Sequence, residues 1–349
     1  MFAIPEQKQK KRYIVTAVFC FCAILGGILF HSFFSQYSAD TRSTTAMGTV
    51  ITIKLFGDSD TQHFSELYQA FDKIEQASSL TIEDSAVNAL NQFHSTNDEI
   101  LLAQATVCME VYAASNGAFD ITVCPVSALW GIGTDGAHIP DQNELTQALK
   151  QVNGSLMQIK DATLSIGPDQ KADFGSVAKG YACDAALTYL KQTDIPGAVI
   201  SVGGSVLLYG KSSRSGAGFT VAVRDPFGEQ TDYAGILSLQ EGFISTSGDY
   251  ERFFEYDGVR YHHILDPKTG FPAESGLSSV TVVTKDGGVL SDALSTACFV
   301  LGLKEGMQLL QKFSAEGIFI TRDGTVYVSD GLQQAFTLTA PHLKAGEPL

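Results

Sequence analysis

From Tyr13 to Phe34 the chain carries no Asp, Glu, Lys or Arg, and a segment of that kind must leave water before the rest can fold around it. About 20 such residues are what a helix needs to cross a hydrocarbon core. Lys8, Lys10, Lys11 and Arg12 precede the run, a bias that holds this end in the cytoplasm. A signal peptide would have a shorter apolar core and a small-x-small cleavage site. A lipoprotein leader would have a small residue where Phe19 and Phe21 precede Cys20 and Cys22. The sequence therefore predicts a basic cytoplasmic segment (1–12) and an uncleaved single-pass anchor (13–34) in the cell membrane. Everything after it lies on the extracytoplasmic side.

The remainder folds in water. With 44% hydrophobic and 17% charged residues in 349, the chain has the profile of a large buried core. Beyond residue 12, 19 basic residues stand against 37 acidic ones, which lacks the basic footprint of a nucleic-acid binder. Residues 35–46, rich in Ser and Thr, read as a polar linker. From 47 to 340 there is no repeat, low-complexity run or composition break, so one catalytic body is expected, with a tail at 341–349. Six scattered cysteines form neither a disulfide framework nor a CxxC zinc pattern. Cys108, Cys124, Cys183 and Cys298 are expected as core fillers.

Period decides the class. Val50–Leu55 alternates like a strand, and Phe64, Leu67, Tyr68, Phe71 and Ile74 recur at helical spacing. A second helix is expected over Glu99–Ser115. Short β-rich runs follow at Gly197–Leu208, Phe219–Val223, Ala234–Leu239, Val259–Ile264 and Ser278–Val283, with helices near Gly175–Lys191 and Asp292–Leu301. Strand runs broken by occasional helices indicate α+β architecture with antiparallel sheets and packed helices.

Four segments bear chemistry. Asp292 and Thr296, four apart on a predicted helix, share one face; the pair reads either as hard oxygens for Mg²⁺ or as a helix-start carboxylate above a packed threonine. Asp173-Phe174-Gly175-Ser176-Val177-Ala178-Lys179-Gly180 opens a helix where free N–H groups attract anions, or is a surface loop with a solvated lysine. His262 and His263 end a strand before an Asp-Pro-x-Thr-Gly turn. Adjacent strand residues face opposite ways, so one histidine at most reaches a given site. Ser201-Val202-Gly203-Gly204-Ser205 lacks the spacing of a dinucleotide fingerprint or a phosphate loop and is either a tight turn or a ligand contact.

Taken together, AMGTVITI, GAFDITVCPVSALWGIG, DFGSVAKGYACD, ISTSGDYERFF…HHILDPKTGFP and SDALSTACFVLG, in this order over Ala46–Gly302, resemble the ApbE-type flavin transferases, the FAD:protein FMN transferases. The resemblance implies a T-fold-like body and FAD binding by Met47, by Ala118, Phe119 and Asp120, by Asp173 and Lys179, and by Leu265. It also implies Mg²⁺ held by a main-chain oxygen at Ser176 with Asp292 and Thr296. Thr81 stands where the family carries an aromatic residue against the flavin, so no ring stack is carried over there. His263, rather than His262, matches the family histidine.

The implied reaction moves FMN from FAD to a threonine or serine hydroxyl of a partner flavoprotein of an electron-transfer chain, acting in trans, and releases AMP. Acceptors of such enzymes are subunits of sodium-pumping NADH:quinone reductase, Rnf-type complexes or surface flavoproteins. A neutral hydroxyl is a weak nucleophile, so a base is needed, and His263 is the candidate; Asp292, as a metal-bound carboxylate, serves as ligand first. Entry of water instead would make the protein an FAD pyrophosphatase giving FMN and AMP. A non-catalytic surface flavin-binding protein is the third reading, which the intact Asp292, Thr296 and His263 argue against.

Overall fold

The computed structural model describes residues 38–57, 60–212 and 218–347; the expected cytoplasmic segment and the anchor at 13–34 lie outside them. Among the described residues no helix is long and apolar enough to cross a membrane.

The chain enters through a hairpin. β1 (Ala39–Ala46) runs antiparallel to β2 (Thr49–Phe56), with Ala46 opposite Thr49. The two intervening residues, Met47 and Gly48, both have positive φ, 53° and 65°, the primed turn whose twist matches that of paired strands. This corrects the expected linker at 35–46 over Ala39–Ala46. Its Ser/Thr-rich second half alternates half-buried and exposed positions, which suits an edge strand as well as a tether.

Next come α1 (Thr61–Ser78), α2 (Ala86–Phe93), β3 (Ser95–Thr96), α3 (Glu99–Ala114), α4 (Cys124–Trp130), α5 (Gln142–Leu149), β4 (Gln158–Lys160), β5 (Thr163–Ser165) and α6 (Ala178–Leu190). Then follow β6 (Gly197–Val202), β7 (Ser205–Gly210), β8 (Phe219–Arg224), β9 (Tyr233–Leu239), β10 (Gly242–Gly248), β11 (Phe253–Tyr256), β12 (Val259–His262) and β13 (Leu277–Thr284). The chain closes with α7 (Gly288–Leu301), α8 (Leu303–Lys312), β14 (Glu316–Thr321), β15 (Thr325–Val328), β16 (Phe336–Leu338) and β17 (Lys344–Ala345).

The main sheet has the order β1-β2-β6-β7-β10-β13-β14-β15-β17. Its pairings are antiparallel except β15 with β17, so the expected α+β class holds. The expected tail at 341–349 is corrected in part, because Lys344–Ala345 closes the sheet edge. On one face, Ile51, Ile53 and Leu55 of β2 pack with Phe64, Leu67 and Phe71 of α1, each burial worth about 1.5–3 kcal/mol. On the other face, Ile244, Ile318 and Ile320 meet Phe219, Val223 and Leu237 of the small β16-β9-β8 sheet. β13 is buried at every position because it is covered on both faces.

Three boundaries differ from the sequence expectation. The run at 197–208 is two strands divided at Gly203-Gly204, with Val202 opposite Ser205. β10, with Ser245, Thr246 and Ser247 in a row, is a strand with no counterpart in the sequence expectation. The last long helix starts at Gly288, four residues before Asp292, because Asp184 of α6 accepts hydrogen bonds from the N–H groups of Gly288 (2.6 Å) and Val289 (3.0 Å). A helix start capped from elsewhere in the chain leaves no local signal.

Candidate active site

Two glycines let α6 and α7 cross closely enough to enclose the central carboxylate. A Cβ on Gly180 would lie 2.1 Å from the Gly288 carbonyl oxygen, well inside contact. With that gap closed, the Gly180 N–H donates to Asp292 Oδ2 at 2.7 Å. Oδ1 accepts from Ser205 Oγ at 2.6 Å and from Ser245 Oγ at 2.5 Å, the two serines being directly opposite each other on β7 and β10. Asp292 is 4% exposed. Burial raises its pKa, opposed by Lys179 and by these three donors.

One turn along α7, Thr296 Oγ1 lies 3.4 Å from Ser247 Oγ, which also meets Ser295 Oγ at 2.8 Å. The match follows from repeat lengths. Four residues of helix rise about 6 Å and two of strand about 6.7 Å, so Asp292 and Thr296 fall beside Ser245 and Ser247. Sequence reading pairs Asp292 with Thr296 and gives Ser205 as a turn or a ligand contact, but misses Ser245 and Ser247. The hydroxyls come from strands whose pairing only the fold reveals. Ser205 ends the turn and bonds the carboxylate.

Close to this carboxylate stands the cation Lys179. Asp173 Oδ1 accepts the Gly175 N–H at 2.8 Å, and Lys179 Nζ donates to the Gly175 carbonyl at 3.1 Å, which fixes the loop entering α6. The β11–β12 hairpin pairs Phe253 with His262, and the pairing continues one step further. Both the N–H (3.0 Å) and Nδ1 (3.3 Å) of His263 meet the Arg252 carbonyl. A carbonyl only accepts, so Nδ1 carries the proton and Nε2 keeps its lone pair.

The two histidines separate as alternation requires. His262 is 1% exposed, packs edge-on against Phe299 at 5.4 Å between ring centroids, and donates from Nε2 to the Ala273 carbonyl at 3.2 Å. His263 is crowded by protein yet open to solvent at its rim. Desolvation first, then Arg252, His262 and Lys179, pushes its pKa down to about 4, so the ring is neutral near pH 7.

The other expected flavin residues are spread around this centre. Met47 occupies the β1–β2 turn, half-buried. Ala118, Phe119 and Asp120 are buried. Asp120 accepts from Thr122 N (2.8 Å), Thr122 Oγ1 (2.7 Å) and Gly154 N (2.8 Å), and burial raises its pKa. Its carboxylate is occupied within the fold, and the N–H groups of Ala118 and Phe119 donate to Ser115. Leu265 is buried with Trp130 and Leu145. Thr81 is exposed in a turn with Ser79. Ser176 is exposed on the loop before α6 and makes no hydrogen bond to Asp292 or Thr296. The four described cysteines are buried and free, and burial raises their thiol pKa values.

Among the described residues no three His, Cys, Asp or Glu side chains converge on a metal position. The surroundings of Asp292 nevertheless fit a hard divalent cation. Every donor is oxygen: one carboxylate, of whose roughly four acceptor positions three are in use, and the hydroxyls of Ser245, Ser247 and Thr296. Mg²⁺ characteristically takes one or two carboxylates and completes its shell with water and substrate phosphate.

These features coincide with a known family. Residues 47–319 match the ApbE family model, and the chain belongs to that family. It is 31% identical to the FAD:protein FMN transferase of Treponema pallidum over 84% of this chain and 87% of the relative. It is also 31% identical to that of Vibrio cholerae, over 77% and 83%. The ApbE protein of Thermotoga maritima superposes with a TM-score of 0.78 at 29% identity, covering 85% of this chain and 99% of that one. The flavin transferase ApbE of Vibrio cholerae gives 0.76 at 27%, covering 85% and 99%.

Proposed function

We propose that this protein is an FAD:protein FMN transferase that attaches FMN to a threonine or serine hydroxyl of a partner flavoprotein, in trans, and releases AMP. The observation that carries this reading is the grouping of a buried, hydroxyl-ringed carboxylate, Asp292, with Lys179, which acts both on it and, together with Arg252, on the neutral His263. A chain of net charge −15 needs such local positive charge to hold a pyrophosphate.

In the proposed reaction the acceptor hydroxyl attacks the FMN phosphorus. The bond from that phosphorus to the bridging oxygen breaks, and AMP departs with that oxygen. His263 Nε2 takes the hydroxyl proton, as its free lone pair permits. Lys179 and the N–H groups at the start of α6 hold phosphate oxygens. Asp292 and Thr296, with a main-chain oxygen of the Ser176 loop, would hold Mg²⁺, which supplies charge neutralisation at the pyrophosphate. Met47, the Ala118–Asp120 segment, Asp173 and Leu265 frame the flavin. The basic residues before the apolar run at 13–34 support an anchored enzyme working outside the cytoplasm.

The test is incubation of the purified protein with FAD, Mg²⁺ and a candidate acceptor, followed by intact-mass measurement and AMP assay. Acceptor mass increased by one FMN, with equimolar AMP, supports the transferase. AMP with free FMN alone identifies a pyrophosphatase instead.

A further inference from the structure

We propose that Arg252 is a further substrate-binding residue of this site, its guanidinium gripping phosphate oxygens of the flavin nucleotide beside His263. The inference deepens the transferase reading and rests on its assignment of a flavin nucleotide to the cleft.

Register places the side chain. Phe253 faces His262 across the hairpin and Phe254 faces Tyr261, so Arg252 lies opposite His263, and opposed residues project on the same side. That side carries the stack of Phe254 on Tyr261 (5.2 Å) and of Tyr261 on Trp130 (5.6 Å), which anchors the hairpin. From its base the arginine reaches toward two glycines, each in a turn. A Cβ on Gly133 would lie 3.3 Å from Arg252 Cδ, and one on Gly48, next to Met47, 3.9 Å from Nη2.

Charge sets Arg252 apart. Arg42, Arg224, Arg260 and Arg322 each lie within 4.0 Å of a carboxylate. Among the described arginines, Arg252 alone makes no ion pair, and its guanidinium makes no hydrogen bond to a described residue. Its acidic neighbour Glu251 is taken by Arg224 at 3.2 Å. An unpaired fork of N–H donors in a strongly acidic chain, next to a second cation and a neutral histidine, suits an oxyanion with several acceptor oxygens.

The experiment compares wild type, Arg252→Gln and Arg252→Lys in binding FAD, ADP and riboflavin, with and without Mg²⁺, followed by flavin fluorescence and calorimetry. Arg252→Gln should weaken FAD and ADP by about 10- to 100-fold, leave riboflavin within about twofold, and leave the melting temperature unchanged because no internal partner is lost. Lysine should restore part of the loss, as a charge without the fork. An NMR titration adds a readout that a structural role would not move. Of the charged and titratable groups against His263, namely Arg252, His262 and Lys179, only one changes, and the His263 pKa should rise from about 4. Unchanged FAD and ADP affinity would overturn the proposal, including the case where only the acceptor KM rises, which would assign the arginine to the acceptor protein. Equal losses for riboflavin and ADP would overturn it too. Wild type that binds FAD but attaches no FMN would overturn the transferase reading alone.

Discussion

At Asp292, on α7, one negative charge is enclosed by neutral donors from three other elements, α6, β7 and β10, and each carboxylate oxygen has a partner. At the base of the β11–β12 hairpin, Arg252 is exposed to solvent and makes no ion pair among the described residues. The first arrangement resembles a protein interior, where an unmatched polar group is costly, so its geometry is rigid. The second keeps unmatched groups at the surface, where water bears the cost until a ligand replaces it. The proposed reaction asks for both, a rigid carboxylate for the metal and free cations for an exchangeable nucleotide, and the comparison can be broken at either end.

The largest effect is expected at the enclosed end. Asp292→Ala should abolish AMP release and FMN transfer. It should also lower the melting temperature, because the Ser205 and Ser245 hydroxyls and the Gly180 N–H lose their acceptor, at about 1–3 kcal/mol for each group left unsatisfied. Asp292→Asn keeps shape and removes charge, which separates the two consequences: a folded, inactive protein that still binds FAD with weakened dependence on Mg²⁺. Undiminished AMP release by either variant would sink the metal assignment.

At the open end the expectation is the reverse, a kinetic loss with little change in stability. His263→Ala should slow single-turnover FMN transfer by about 10²–10⁴-fold, the size of a general-base contribution, while FAD affinity is kept. His262→Ala should barely change that rate yet melt earlier, since it removes a buried ring from Phe299. Equal rate losses at the two positions, measured across pH 5–9, would refute the base role of His263.

What could be read from the chain follows the same division. Features set by local period or neighbouring residues were legible: the alternation of β2, the spacing of α1, the opposite facing of His262 and His263, and the i,i+4 pair on α7. Features set by distant pairing were not. Nothing local marks Ser245 as a partner of Ser205, because their opposition depends on which strands become neighbours. Arg252 enters the site only through its pairing with His263. The edge strand β1 was mistaken for a linker because Ser and Thr serve both, and only β2 shows which. The resemblance covered most of the fold because five separated blocks encode such distant pairings together.

Closer to the middle in size is the helix crossing that encloses Asp292. Gly180→Ala puts a methyl group 2.1 Å from a backbone oxygen, which α6 and α7 can relieve only by separating. A loss of about 3 kcal/mol is expected, at the upper end of overpacking costs, with FMN transfer falling alongside as the Gly180 N–H draws away from Asp292. At the open end, Gly48→Ala meets space, with its nearest neighbour the end of Arg252 at 3.9 Å, and pays only the left-handed backbone term of about 1 kcal/mol. Chemical denaturation of both variants checks the order, and a Gly180→Ala protein as stable as wild type would mean the crossing is not tight.

The smallest effect at neutral pH concerns acid. Burial pushes the His262 pKa from 6.5 down to about 4, with Arg260 and Arg322 adding to it and the hydrogen bond to Ala273 opposing. The unfolded chain then binds the proton more readily than the folded one, so His262 contributes stability above pH 6.5 that is lost as pH falls toward 4. Between pH 6.5 and 5 that amounts to about 2 kcal/mol. His262→Phe keeps the ring against Phe299, gives up the bond to the Ala273 carbonyl, and should be slightly less stable than wild type at pH 7 with a flatter decline toward pH 5. His263→Phe is the companion variant: its pKa is also pushed down to about 4, so linkage gives its loss a similar flattening of the decline. Urea midpoints at pH 7, 6 and 5 decide the matter, and a His262→Phe slope equal to that of wild type would place the acid sensitivity elsewhere in the molecule.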